Sequence, residues 1–568
     1  MKRILLGLLC LTPIAPCVAG DAGLFPPSTV IYAELSHAKE LADTLYEHPL
    51  RARIEALPAY QQFTESAQFR QFEQGRSMAE GMIGMPIREA IETFLAQGAS
   101  VGFDAESESF AAVVRGKDAK TMRELRDKAL AIIALANEGA PVANVEYRGI
   151  EAHRANDLRL AVYEDRMLLT NSSDLGKAVI DRMLDGGGSL ADSEGFQEAI
   201  ATKDGDATLW AYANVDAIRS SGEAQEIYEQ QIDNPVAEAL LGGIQSNLQH
   251  TQYATATVLA DKQTVSVELA TPHEADWIPE EREYYFGPEG NGRAPAITAP
   301  DQTLFTLSTY RDLSEMWLRA GDLFGPETND QFAQADAGLT TIFAGRDFGE
   351  EILGSLSPEV AFIATRQDFS GRNPIPALKL PSFAIIAELR DPEKMRRELR
   401  RTFQSTVGFF NVVGAMNGLN QLELDIEKLD AGAEVVTASY VAEEGQEEST
   451  EAPVQFNFSP TVGFAGDRFI LSSEIGLAKT LTLAKESDQG SSDNTWSNLN
   501  AETLRDILSD NREQLIANNM LEEGNDREEA EAAIDLLLDI VGFFQDLSLR
   551  LRDVDDHLKL SLQLRVQQ

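Results

Sequence analysis

Ser36-His37-Ala38-Lys39 is a stretch whose residue types and spacing match a nucleophile with a base one helical turn away. On a helix a lysine three residues on lies over the serine, and as a free amine it takes the hydroxyl proton. Enzymes built on this dyad complete it with a Ser-Asp-Asn and a Lys-Thr-Gly. Ser492-Asp493-Asn494 supplies the first, but Lys120-Thr121 runs into Met122 and Lys479-Thr480 into Leu481, so the second is missing. The simpler expectation is that Ser36 caps a helix running to about Leu45, with Leu41 and Leu45 on one face.

Gly98-Ala99-Ser100-Val101-Gly102 matches the Gly-x-Ser-x-Gly of a nucleophile elbow. That device needs a strand before the serine and a helix after it. Here the order is reversed, helix (Arg88 to Leu95) then strand, so Gly98 is expected to stop the helix. The histidines are scattered, without His-Glu-x-x-His or an i, i+4 pair, and no Walker or Rossmann glycine pattern is present. Both cysteines, Cys10 and Cys17, fall in the first twenty residues. No catalytic, cofactor-binding or metal-ligating set is therefore assigned, no cofactor is expected, and the ligand-binding residues stay open.

The elements that would carry any site occur twice. Phe110-Ala111, Asp118 and Met122-Arg123 return as Phe383-Ala384, Asp391 and Met395-Arg396, each 273 positions on (383 − 110). Asp165-Arg166, Leu169, Leu175 and Lys177 return as Asp467-Arg468, Leu471, Leu477 and Lys479, displaced by 302 (467 − 165). Trp210, Asn214 and Arg219 return as Trp496, Asn500 and Arg505, displaced by 286 (496 − 210). Pro26 and Thr29 match Pro300 and Thr303 at 274 (300 − 26). Serines after the third strand of each copy (Ser172-Ser173; Ser472-Ser473) are placed to cap the next helix. Each half closes with a hairpin of period two: Val265, Val267 and Leu269 in the first, Leu549, Leu551, Leu558, Leu560, Leu562 and Leu564 in the second. That period predicts an antiparallel sheet with the leucines buried and Arg550, Arg552, Lys559 and Arg565 on the wet face.

Residues 1–20 read as a signal peptide: Lys2-Arg3, an apolar run from Ile4 to Leu11, and Val18-Ala19-Gly20 before Asp21. The expected domains are then 21–271 as the first half, 272–299 as a linker rich in Pro, Gly and charge and pinned down by Trp277, Tyr284, Tyr285 and Phe286, and 300–568 as the second half. Glu443 to Glu451 is an acidic insertion expected to be a mobile loop. The mature chain would be periplasmic or secreted, cysteine-free, and without a transmembrane span. Its net charge of −44 becomes −46 once Lys2 and Arg3 leave (−44 − 2), which repels nucleic acid and anionic headgroups.

The order of these blocks resembles an uncharacterised family of exported bacterial proteins, known as a domain of unknown function. That resemblance covers nearly the whole mature chain and implies no activity. The fold class read here is α+β, two similar halves from internal duplication, each a mainly antiparallel sheet covered by helices. The leading function is a non-enzymatic binding or interaction protein with an unknown protein or small-molecule partner. The alternatives are a penicillin-recognising-like serine hydrolase using Ser36 and Lys39, and a periplasmic carrier of apolar ligands.

Overall fold

The computed structural model describes residues 21–136, 142–222, 224–343, 345–416, 418–443, 445–484 and 491–567. The expected signal peptide lies outside the described residues, as does part of the 443–451 insertion. The fold is α+β, built on antiparallel strands flanked by helices, and it divides into two compact units.

Unit 1 comprises Met1–His48, Gln62–Glu223 and Gln252–Asp261. Its strands are β1 (Thr29–Leu35), β2 (Ala99–Asp104), β3 (Ser109–Arg115), β4 (Ala143–Tyr147), β5 (Ile150–Ala155), β6 (Leu158–Tyr163), β7 (Arg166–Thr170), β8 (Leu209–Asn214) and β9 (Tyr253–Ala260). They pair antiparallel in the order β9-β8-β1-β2-β3-β7-β6-β5-β4. Alternation along β1 sends Val30, Tyr32 and Glu34 to one face. There Tyr32, Phe196 and Trp210 meet edge to face, with Phe196–Trp210 centroids 5.6 Å apart, under the helices Ser173–Asp185 and Glu194–Ala201. On the other face Met122 of the helix Ala119–Ala136 and Phe94 of Ile87–Phe94 cover Leu160 and Met167.

Unit 2 comprises Pro49–Gln61, Ala224–Thr251 and Lys262–Gln568. It holds β10 (Thr264–Pro272), β11 (Thr303–Tyr310), β12 (Leu356–Thr365), β13 (Ser382–Leu389), β14 (Leu422–Lys428), β15 (Glu434–Tyr440), β16 (Thr461–Ala465), β17 (Arg468–Ser472), β18 (Thr495–Asn500), β19 (Phe544–Val554) and β20 (His557–Val566). The order is β10-β20-β19-β18-β11-β12-β13-β17-β16-β15-β14, again antiparallel throughout. From β19 to β14 it repeats the order of unit 1 strand for strand. The registers agree with the sequence offsets as well. Ala111 pairs with Thr170, and Ala384 pairs with Ser472, which are the same positions moved by 273 and 302. Ala33 opposite Ala211 likewise becomes Leu307 opposite Ser497.

The compact units do not follow the boundary read at 271/272. The strand β10 pairs along its whole length with β20, and the helix Pro235–His250 packs on residues 284–286, so both belong to unit 2. The segment 272–299 holds Tyr284, Tyr285 and Phe286, all buried against Met316, Leu323 and Leu551. Gly242 and Gly243 of that helix make the close approach possible: a Cβ on Gly243 would stand 2.7 Å from the Phe286 ring. A bidentate pair, Arg282 on Glu238 (2.7 and 3.0 Å), lies beneath, with Gln245, Ser246 and Tyr284 satisfying the remaining valences.

Candidate functional site

Ser36 and Lys39 do not meet as a catalytic pair. His37 precedes the helix Ala38–Glu47, no side chain caps it, and the expected Ser36 cap does not form. Ser36 is exposed and its amide donates to the Thr208 carbonyl. Lys39 turns the other way and donates to Asp43, one turn further along. That hydrogen bond raises the lysine above its ordinary pKa and holds Asp43 below the usual carboxylate range. A surface ammonium so held stays charged and has no lone pair for the serine proton.

The other motifs have internal partners too. Asn494 is fully buried; it donates to the carbonyls of Tyr285 (3.0 Å) and Gly292 (3.3 Å) and accepts from Arg311 (2.9 Å). Ser100 lies in β2 with its hydroxyl 3.4 Å from Asp21, and Gly98 at φ +95° turns the chain where a side chain would strike the Leu35 carbonyl. Arg166 binds Asp165 at 3.0 Å, whereas Arg468 donates to the carbonyls of Leu481 and Ala484 at the end of the helix Ile475–Leu483. Lys177 pairs with Asp174 and Lys479 with Glu427. Trp210 is core; Trp496 is half-buried. Ser172 caps its helix through Leu175, but in the second copy Glu474 takes that place, accepting from Leu477, while Ser473 accepts from the Phe383 amide.

Unit 2 presents an open apolar sheet face. Val265, Leu269, Leu562, Leu547, Phe383, Ile385 and Leu471 lie between 37 and 47% exposed. Strand registers put them on one side: Leu269 opposite Leu560, Leu562 opposite Leu549, Phe305 opposite Ala364, Phe362 opposite Ile385, Ile385 opposite Leu471. Phe305, Phe362 and Phe383 form a ladder with centroids 6.1 and 6.2 Å apart. The expectation that the closing leucines are buried holds only at one end, where Leu551 and Leu558 lie under Tyr284–Phe286. On the polar side, Asp546 and Ser548 are buried. Alternation reveals which residues share a face, but not which face the helices cover.

A separate acidic pocket of about 410 Å³ is lined by His273, Glu274, Glu289, Asp553 and Asp556. Asn247 uses its amide nitrogen on Thr271 and Pro272, so its Oδ1 accepts from His273 Nδ1 at 2.7 Å, which leaves Nε2 unprotonated and, among the described residues, without a partner. Burial lowers the His273 pKa against the opposing pull of Asp553 and Glu274. Among the described residues no three His, Cys, Asp or Glu side chains gather as a metal cage requires, and no helix is long and apolar enough to cross a membrane.

No family model and no curated protein matches the chain. Two crystal forms of TP0453 align at 10% sequence identity, one with a TM-score of 0.24 over 44% of this chain and 79% of that one. The other gives 0.25 over 44% and 78%.

Proposed function

We propose that this chain is an exported, non-enzymatic binding protein made from one copied module, and that its ligand is apolar and held on the open face of the unit 2 sheet. The observation that carries the reading is the row of half-exposed leucines and phenylalanines from Val265 to Leu471 on one side of that sheet. Exposed apolar residues scattered singly need no explanation, but a contiguous patch of this kind marks an interaction surface. Support for the copied module is the agreement between the sequence offsets and the strand registers. Support for export is the Lys2 to Asp21 pattern. The salt bridge that occupies Lys39 speaks against serine chemistry at Ser36.

Native mass spectrometry after mild extraction is the test. A co-purified apolar molecule is expected, and Phe383→Asp should weaken its rebinding roughly ten- to a hundred-fold, from the ~1.5–3 kcal/mol of burying a phenylalanine. A clean apo mass with no uptake of a fluorescent fatty acid would sink the reading, as would fluorophosphonate labelling at Ser36.

A further inference from the structure

The helix Pro392–Met416 of unit 2 changes character along its length. Its inner stripe, Met395, Leu399, Phe403 and Val407, packs on the sheet through Val436, Phe464 and Ala438. Its solvent stripe begins with Lys394, Arg397 and Arg401, all exposed, and ends with Phe409, Val412 and Met416, exposed by 62, 65 and 83%. Positions 394, 397, 401, 405, 408, 412 and 416 follow at three- and four-residue steps, with Ser405 and Gly408 between the cations and the apolar end and Phe409 at the stripe's edge. Apolar side chains this exposed, in a row, are not what a helix facing water alone presents.

Arg397 and Arg401 add the second observation. The chain has 92 acidic residues to 48 basic ones, and nearby arginines find carboxylates: Arg400 on Glu434, Arg366 on Asp510, Arg372 on Glu474. Among the described residues Arg397 and Arg401 make no salt bridge. Two unpaired cations and a lysine, followed within two or three turns by an apolar end, match the layers of a lipid interface. Phosphates meet the cations, and acyl chains meet the tip. The tip from 409 to 416 spans about 10 Å along the helix axis at 1.5 Å per residue. Acidic charge elsewhere on the molecule is screened beyond about 8 Å at physiological salt, so the local patch governs contact.

We propose that this helix docks its C-terminal end on an anionic phospholipid surface. This surface is distinct from the open sheet face, and it qualifies the repulsion from headgroups expected of the whole chain: the repulsion is general and this helix is the exception. The sequence of the helix Ala119–Ala136 has the same order, with Lys120, Arg123, Arg126 and Lys128 before Ile132, Ile133 and Leu135.

The test is flotation of the chain beginning at Asp21, which lacks the apolar run of residues 4–11, with vesicles of phosphatidylcholine alone or of phosphatidylcholine mixed with phosphatidylglycerol. Binding to the anionic vesicles and little to the neutral ones is expected. Val412→Glu with Met416→Glu should cut the bound fraction at least tenfold, and Arg397→Glu with Arg401→Glu should abolish the preference for anionic lipid. All four side chains are exposed, so melting curves should stay those of the parent protein. No flotation, equal flotation of the variants, or a dimer that the tip variant dissolves would each overturn the proposal. Ile385→Ser separates the two surfaces: it should spare flotation while weakening fatty-acid uptake.

Discussion

His273 is a buried residue whose environment depends on pH. Its ring lies 5.1 Å from Phe286, Nδ1 is committed to Asn247, and burial favours the neutral form. A histidine with a depressed folded pKa binds its proton more readily in the unfolded chain, whose value is about 6.5. Its contribution to stability is therefore complete above that value and is lost as pH falls below it, until the folded form also protonates. The groups opposing this are Asp553 and Glu274. Melting midpoints at pH 7.5 and 5.5 should differ less in His273→Phe than in the parent; an unchanged difference would show that His273 does not set the acid sensitivity. None of this was legible in the chain, because Asn247 lies 26 residues away. The fate of Lys39 was partly legible: Asp43 stands at i+4, where a lysine finds a partner more readily than it finds a serine behind it.

At the scale of elements, periodicity identified the strands and helices, and its failures came from what covers them. The leucines of β19 and β20 alternate as read, yet only the end near Tyr284 is sealed. The segment rich in Pro and Gly is pinned down by its aromatics as expected, Tyr284, Tyr285 and Phe286 being buried; what the chain did not reveal is that two adjacent glycines on the helix Pro235–His250 leave room for them. A glycine in a helix ordinarily costs about 1 kcal/mol relative to alanine. Gly75, in the helix Ala67–Ile83 with nothing within 4 Å of its Cβ, should follow that rule, so Gly75→Ala is expected to stabilise by about 0.5–1 kcal/mol. Gly243→Val should do the reverse and destabilise by about 1–3 kcal/mol, since its side chain must displace Tyr285 and Phe286. Urea titrations of the two variants decide this, and shifts of the same sign would mean that the aromatic cluster yields.

For the whole molecule, the strand registers agree with the offsets read in the chain: Ala111 lies opposite Thr170 and Ala384 opposite Ser472, residues of similar size at paired positions. Where one unit ends was not legible, because chain order and packing disagree there. Arg311 shows why. Among the described residues it is buried without a carboxylate, resting 3.4 Å above the Tyr285 ring and donating to the carbonyls of Ala239 and Tyr285. Two of these partners precede residue 300, and so does the whole of β10, which covers the edge of β20. A fragment 300–568 therefore strips Arg311 of the Ala239 and Tyr285 carbonyls and of the Tyr285 ring, leaving it the Asn494 side chain, and bares a long leucine-rich edge. It should express insolubly or unfold without a cooperative transition. A fragment 224–568 restores the helix Pro235–His250, the aromatic cluster and β10. It lacks only residues 49–61 of the unit, whose helices Pro49–Ala56 and Pro58–Thr64 bury no residue. Circular dichroism melts should show a single sharp transition for 224–568 alone. If 300–568 melts as sharply, the boundary read from the chain is the physical one, and β10 and the cluster are attachments rather than parts of the unit.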